Sequence, residues 1–286
     1  MEKILRLAVQ KSGRLSEDSL KLIKECGIDI SNGGSSLRSL STNFPIEVLY
    51  LRDDDIPGYV ADGVADIGIV GENVLVEKSK NTEIVERLGF SKCRLSIGVP
   101  KAMDYKGVND LDGKKIATSY PNILSSFLKE NKVSASIHEI SGSVEIAPGI
   151  GLSDAVCDIV SSGSTLISNG LKEAEVVFKS EALLIACPDL SDEKRVILDD
   201  LLFRMKAVRR ARNTKYILLN APNKSLDEII SLLPGVKSPT VMPLATEGWS
   251  SLHSVVNEND FWQIIEKLRK AGAEGILVLP IEKIIQ

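Results

Sequence analysis

Short runs of aliphatic and β-branched residues alternate with amphipathic stretches along most of the chain. Residues 4–9, 46–51, 66–70 and 94–99 are apolar runs of strand length. Their continuous hydrophobicity suits strands buried on both faces. Ser16, Glu17 and Asp18 precede Leu20, Leu22 and Ile23, which predicts a capped helix reaching about Cys26. Residues 55–62, with Pro57 in the first turn, predict a short helix, and Gly71-Glu72-Asn73 opens the next. This alternation predicts a mostly parallel α/β sheet.

A second α/β unit follows, with strands at 115–118, 135–140, 155–160 and 174–178 and a helix at 121–130. A strand at 182–186 would return the chain to the first unit, so that two units joined by two crossings enclose a cleft. Residues 192–212 predict a long helix. The tail then reads strand 216–220, helix 225–233, strands 240–244 and 252–256, helix 260–270 and strand 275–279. That βαββαβ order is ferredoxin-like, and Trp249, Phe261 and Trp262 are expected in its core. The expected organisation is one lobe of residues 1–99 with 182–212, a second lobe of 100–181, and a C-terminal domain of 213–286.

Composition narrows the function. The chain has 286 residues, 43% hydrophobic and 26% charged, with 35 Lys and Arg against 39 Asp and Glu for a net charge of −4. Non-specific nucleic-acid binding needs a basic excess, so the cluster Arg204, Lys206, Arg209, Arg210, Arg212 and Lys215 reads as a solvated face or subunit contact. Cys26, Cys93, Cys157 and Cys187 show no CxxC spacing, and only His138 and His253 are present. A disulfide framework, a zinc site and a histidine cage are therefore not expected. The N-terminal residues lack the apolar core of a signal peptide, and no apolar run could span a bilayer, so a cytoplasmic protein without membrane contact is expected.

The sharpest chemical segment is Asp154–Leu166, DAVCDIVSSGSTL. A buried strand ends there in Ser161, Ser162, Gly163, Ser164 and Thr165. Free backbone N–H groups at a following helix would face an anion, and the hydroxyls add donors. A phosphate monoester suits such a loop, although a polar turn capping a helix suits it as well. Asp158 and Glu145 could hold ribose hydroxyls or position a divalent cation, or be solvated acids. Lys11, Gly13 and Arg14 follow the first strand, Arg52 ends another, and Asp66 and Gly71 flank a third. Strand ends are where α/β sheets bind ligands, and cations there would meet phosphates. The run Asp53-Asp54-Asp55 suits helix capping better than metal binding.

Seven motifs in order carry a resemblance across essentially the whole chain: QKSGRL (10–15), RDDDIPG (52–58), DIGIVGEN (66–73), ATSYP (117–121), GSVEIAP (142–148), DAVCDIVSSGSTL (154–166) and LVLPIEK (277–283). In these the chain resembles the long-form ATP phosphoribosyltransferases, the first enzymes of histidine biosynthesis. The resemblance implies a two-lobed, periplasmic-binding-protein-like catalytic region with a ferredoxin-like regulatory domain. It implies transfer of phosphoribosyl from phosphoribosyl pyrophosphate to N1 of ATP, with Mg2+, inhibition by histidine, and a homo-hexamer in equilibrium with a dimer.

By motif, the resemblance implies that Ser161 to Thr165 cradle the 5-phosphate, with Asp158 and Glu145 near the ribose. Lys11, Gly13, Arg14 and Arg52 would face phosphates across the cleft, beside Asp66 and Gly71, with Tyr120 near the adenine. Ser238 and Thr240 would meet inhibitory histidine at a subunit interface, with Asn220, Val236, Val255 and Gly275 nearby. No general base and no metal ligands are singled out. A solute receptor without catalysis and an amino-acid-sensing regulator are the competing readings.

Overall fold

The structure is a computed structural model that describes residues 4–31, 37–161, 163–233, 235 and 237–285. Its elements in the first part of the chain are β1 (Leu5–Gln10), α1 (Arg14–Glu25), β2 (Arg38–Leu40), β3 (Ile46–Leu51), α2 (Ile56–Ala61), β4 (Ile67–Gly71), α3 (Glu72–Lys78), β5 (Glu83–Arg87), β6 (Cys93–Pro100), β7 (Lys115–Thr118), α4 (Pro121–Glu130), β8 (Ser136–Glu139), β9 (Ala155–Val160), α5 (Ser164–Ser168), β10 (Leu171–Ser180), β11 (Ala182–Ala186) and α6 (Asp192–Arg212). By internal packing the chain divides into two units, residues 1–24 with 28–197, and residues 25–27 with 198–286.

The first unit holds two sheets. One has strand order β2-β3-β1-β4-β11-β5 and the other β10-β6-β9-β7-β8. The expectation of a mostly parallel sheet needs correction. β1 is parallel to β3 and β4, and β7 to β8 and β9. β11, β6 and β10 pair antiparallel with their neighbours. These antiparallel strands lie where the chain passes between sheets, because a strand that returns from the other lobe enters against the direction of the βαβ units; β2 is antiparallel to β3 within the first lobe.

The chain crosses outward between β5 and β6 and back between β10 and β11, where Glu181 alone intervenes. β6 lies wholly in the second sheet, so the outward crossing falls at residues 88–92 rather than at the expected boundary of 99. Separate apolar cores back the two sheets. Val60, Val70, Leu183 and Ile185 belong to one, and Leu95, Ile97, Ile116 and Leu124 to the other. Fully burying each such side chain is worth about 1.5–3 kcal/mol. Each sheet thereby has a core of its own, and two short links join them.

The second unit contains β12 (Thr214–Pro222), α7 (Leu226–Leu232), β13 (Thr240–Pro243), β14 (Trp249–Asn257), α8 (Phe261–Lys270) and β15 (Glu274–Pro280), with sheet order β13-β14-β12-β15. All its pairings are antiparallel, and the order is that of a ferredoxin-like sheet. Ile217, Leu219 and Ala221 alternate along β12 into a core with Ile229 and Leu268 from the helices. Residues 198–212 of α6 pack with this unit, so the division falls inside that helix rather than at 213.

Trp262 departs from its expected place. It is 77% exposed, because Phe261, Ile264, Ile265 and Leu268 already supply the inward stripe of α8. Three residues of the basic cluster pair with acids: Arg204 with Asp200, Arg212 with Glu25, and Lys215 with Glu258. No helix is long and apolar enough to cross a membrane among the described residues.

Candidate active site

Three adjacent parallel strands, β3, β1 and β4, end on one edge of the first sheet. That edge carries Arg52 after β3, Lys11, Gly13 and Arg14 after β1, and Gly71 at the end of β4. The Lys11 N–H donates to the Leu51 carbonyl at 2.8 Å and holds two of these strand ends together. Lys11, Gly13, Arg14 and Arg52 are exposed. Arg14, its side chain 72% exposed, has the Asp18 carboxylate at 4.0 Å. It is a loosely held cation.

A cavity of about 260 Å³ opens beside this edge, lined from the first lobe by Gln10, Arg14, Asp53, Gly71 and Asn73. Ile159 and Ser161, at the end of β9, line it from the second lobe, and Lys92, Cys93 and Ser180 from the crossing segments. A neighbouring cavity of about 360 Å³ shares Lys92, Cys93, Ser161 and Ser180 and adds Arg87, Arg94 and Lys179. Burial pushes the Cys93 thiol up from its ordinary range, which leaves it protonated and a poor nucleophile at neutral pH.

The hydroxyl-rich segment follows β9. Gly163 adopts φ +82°, a left-handed conformation that favours glycine, at the residue preceding α5. Its carbonyl receives the Ile167 N–H at 3.1 Å. Ser164 and Thr165 form the first turn of α5. Ser162 lies outside the described residues.

The two second-lobe acids Asp158 and Glu145 lie within electrostatic reach of each other. Burial, and then the charge of Glu145, raise the Asp158 carboxyl above its usual range. Glu145 sits in the single turn Val144–Ile146. Burial, followed by the charges of Asp158 and Asp53, raises the Tyr120 phenol, so Tyr120 lies within electrostatic reach of both lobes' acids. The aspartate run does not cap: no side chain makes a capping bond at 53–55 or at the start of α2. Asp53 lines the cavity and Asp54 pairs with Lys78 at 3.5 Å.

Asp66 is misplaced in the sequence reading. It precedes β4, one strand length of about 17 Å from Gly71, on the opposite edge of the sheet. There its carboxylate receives Lys194 Nζ at 2.7 and 2.8 Å and the Arg6 N–H at 2.8 Å. It therefore ties β1 to α6 instead of facing the cleft.

The family model for ATP phosphoribosyltransferase (HisG) matches residues 52–207, and that for the HisG C-terminal domain matches residues 211–283. The ATP phosphoribosyltransferase of Cytophaga hutchinsonii is 72% identical over the full length of both chains. That of Bacteroides thetaiotaomicron is 62% identical over 99% of this chain and 100% of the relative. The chain belongs to the ATP phosphoribosyltransferase family.

A solved structure of the ATP phosphoribosyl transferase (HisG:HisZ) complex from Thermotoga maritima matches with TM-score 0.61 and 30% identity, over 71% of this chain and 96% of that one. A periplasmic sulfonate-binding protein from Methylobacillus flagellatus KT matches at TM-score 0.51 and 18% identity, over 72% and 68% of the two chains, which is a likeness of fold alone.

Three residues of this family member escaped the sequence reading as site residues. Asn73, at the start of α3, donates from Nδ2 to the Tyr120 hydroxyl at 3.1 Å, and its Oδ1 accepts from Ser180 Oγ at 2.8 Å. The Asn73 N–H also donates to Ser180 Oγ, at 3.1 Å. First lobe, second lobe and crossing thus meet at one amide. Glu77, one turn further along α3, is buried and accepts the Asn122 and Ile123 N–H groups at the start of α4. Asn73 stood inside the DIGIVGEN motif; for Glu77 and Ser180 no local signal exists.

Of the residues implied for histidine, Asn220, Thr240, Val255 and Gly275 lie on the C-terminal sheet of this ATP phosphoribosyltransferase family member. Asn220 is on β12, and a Cβ added to Gly275 on β15 would stand 3.4 Å from its amide nitrogen. Thr240 opens β13 opposite His253. Val255 pairs with Tyr216, four residues and about 13 Å along β12 from Asn220, so the set is strung along a face and not gathered at one point of the chain. Ser238 precedes β13 and is exposed. Val236 lies outside the described residues.

Proposed function

We propose that this chain transfers the phosphoribosyl group of phosphoribosyl pyrophosphate to N1 of ATP, the first step of histidine biosynthesis. The observation that carries this reading is the meeting of two opposed surfaces on one cavity. Ser161, at the end of β9 and just before the Gly163 turn, lines it from the second lobe, and Arg14 of the first sheet edge lines it from the first. The loop residues Ser161, Ser162, Gly163, Ser164 and Thr165 would hold the 5-phosphate. Lys11, Arg14, Arg52 and Lys92 would receive the pyrophosphate and triphosphate groups, with Gly13 and Gly71 allowing close approach. Asp158 and Glu145 would hold ribose hydroxyls, with Tyr120 toward the adenine.

In the reaction the lone pair of adenine N1 forms a bond to the ribose anomeric carbon. The bond from that carbon to pyrophosphate oxygen breaks, and its electron pair departs with pyrophosphate. Positive charge builds on the sugar as in glycoside cleavage. N1 is already a nucleophile, so the residues named need only align it, exclude water and stabilise the departing anion. Alignment of two bound reactants supplies on the order of 7 kcal/mol or more, and motion about the two crossings is the natural means of closing on them.

Magnesium is implied by the family. Among the described residues no group of three or more His, Cys, Asp or Glu is arranged to hold a metal ion. Isolated carboxylates fit a Mg2+ that arrives on substrate phosphates and keeps its waters, and Asp53 and Asp158 are the candidates to approach it. When bound, the ion neutralises the leaving pyrophosphate.

We further infer inhibition by histidine at the C-terminal sheet, through Asn220, Val236, Ser238, Thr240, Val255 and Gly275, and a homo-hexamer in exchange with a dimer. Exposed Met242, Leu277 and Leu279 on that sheet support association. The free thiols at 26, 93, 157 and 187 suit a cytoplasmic setting. The deciding experiment is an absorbance assay for phosphoribosylated ATP, coupled to pyrophosphate detection, with and without histidine. Product formation that histidine suppresses is expected. Binding of both substrates without pyrophosphate release would leave a receptor instead.

A further inference from the structure

Arg94 lies outside every motif that the sequence singled out. It sits on β6, the first strand of the second lobe, opposite Val160, the last residue of β9. Its guanidinium makes two different contacts. Nε and Nη2 grip the Glu173 carboxylate at 2.5 and 2.6 Å, and Nη1 donates to the Ser161 carbonyl at 3.2 Å. The Glu173 oxygen on β10 that takes Arg94 Nε also accepts the hydroxyl of fully buried Ser96, at 2.8 Å.

A guanidinium forked onto a carboxylate has a fixed plane, and its remaining N–H groups point in one direction. Here that direction ends on the carbonyl of Ser161, where the chain leaves β9 for the hydroxyl-rich loop. The far end of the loop is seated on the same strand. A side chain on Gly98 would stand 2.9 Å from Val156 Cγ2 and 3.0 Å from Leu166 Cδ2, so α5 rests directly on β6. Both ends of the loop are thus referred to β6, which is also the strand joined to the crossing.

We propose that Arg94, braced by Glu173, is a positioning residue that preforms the loop for the sugar 5-phosphate. The proposal rests on the reading of that loop as the 5-phosphate site. A fixed loop spares the ligand the cost of ordering it, so the loss appears in affinity for the sugar donor and not for ATP. The fork is essential, so a lysine cannot replace it. Removing the charge of Glu173 frees the arginine and has the same effect.

The test is steady-state kinetics of the full chain with both substrates varied, for Arg94→Ala, Arg94→Lys, Glu173→Gln and Gly163→Val, each checked for folding by thermal melting. All four are expected to raise KM for phosphoribosyl pyrophosphate, the first three by about tenfold, with KM for ATP changed less than twofold. Full recovery in Arg94→Lys, or an unchanged KM in Glu173→Gln, would show Arg94 to be a direct charge on the ligand and overturn the positioning role. If Gly163→Val raises the KM and Arg94→Ala does not, the proposal alone is wrong. If neither raises it, the loop is not the phosphate site and both readings fall. Should Arg94→Ala melt before assay temperature, Glu173→Gln, which preserves shape, decides.

Discussion

The carboxylate of Glu77 on α3 accepts the backbone N–H of Asn122 at the start of α4, at 2.9 Å, and thereby caps a helix of the other lobe. Its second oxygen takes the next N–H, of Ile123, at 3.0 Å, and the Asn122 amide returns a hydrogen bond to the Glu77 carbonyl, also at 3.0 Å. A carboxylate that is only 6% exposed is tolerable because two donors and the positive end of a helix surround it. The cap belongs to α4 but is supplied by α3, so the fold stores part of its helix capping in the contact between lobes.

Glu77→Ala should therefore cost more than a surface change. A lost cap is worth about 0.5–2 kcal/mol, and chemical denaturation of the variant should show a loss in that range or above. Glu77→Gln, which keeps one acceptor, should lie between. A variant as stable as the parent would mean that α4 is capped by other means.

Asp158 yields a pH prediction. Its carboxyl is raised in the folded protein, first by burial and then by Glu145. Between the unfolded and the folded value, the folded state therefore holds a proton that the unfolded state has already released. Stability from this group is fully present below the unfolded pKa and is lost as pH rises through the folded value. Asp158→Asn should melt above the parent at neutral pH, and the difference should vanish in acid. Thermal melts across pH check it; a variant less stable at neutral pH contradicts it. The same variant should lose turnover if the carboxylate holds the ribose.

Gly163→Val should damage the loop through its backbone. At φ +82° an L-residue pays about 1–2 kcal/mol, and a β-branched one more. The expected result is a rise of tenfold or more in KM for phosphoribosyl pyrophosphate, or loss of turnover. Kinetics indistinguishable from the parent would dismiss the loop.

On the C-terminal sheet, Gly275→Val adds bulk 3.4 Å from the Asn220 amide. If histidine sits there, the concentration that half-inhibits should rise at least tenfold in this variant and in Asn220→Ala, as read from inhibition curves. Unaltered inhibition in both would move the effector elsewhere.

Much of the fold was legible because it is local. The strands at 46–51, 115–118, 155–160 and 182–186 and the helices at 121–130 and 192–212 occupy the same residues in the structure, since apolar runs and helical periodicity act over a few neighbours. β2 and β5 were not legible: one has three residues, the other is largely exposed, and neither shows an apolar run. The clustering of Lys11, Arg14, Arg52 and Gly71 on one edge followed from parallel strands ending together. Asp66 was misread because composition near a strand does not say which of its two ends faces the cleft. Asn73 and Ser180 meet across 107 residues of sequence, and Glu77 and Asn122 across 45. Such pairings follow from the packing of one sheet against another, and no local pattern of side chains encodes them.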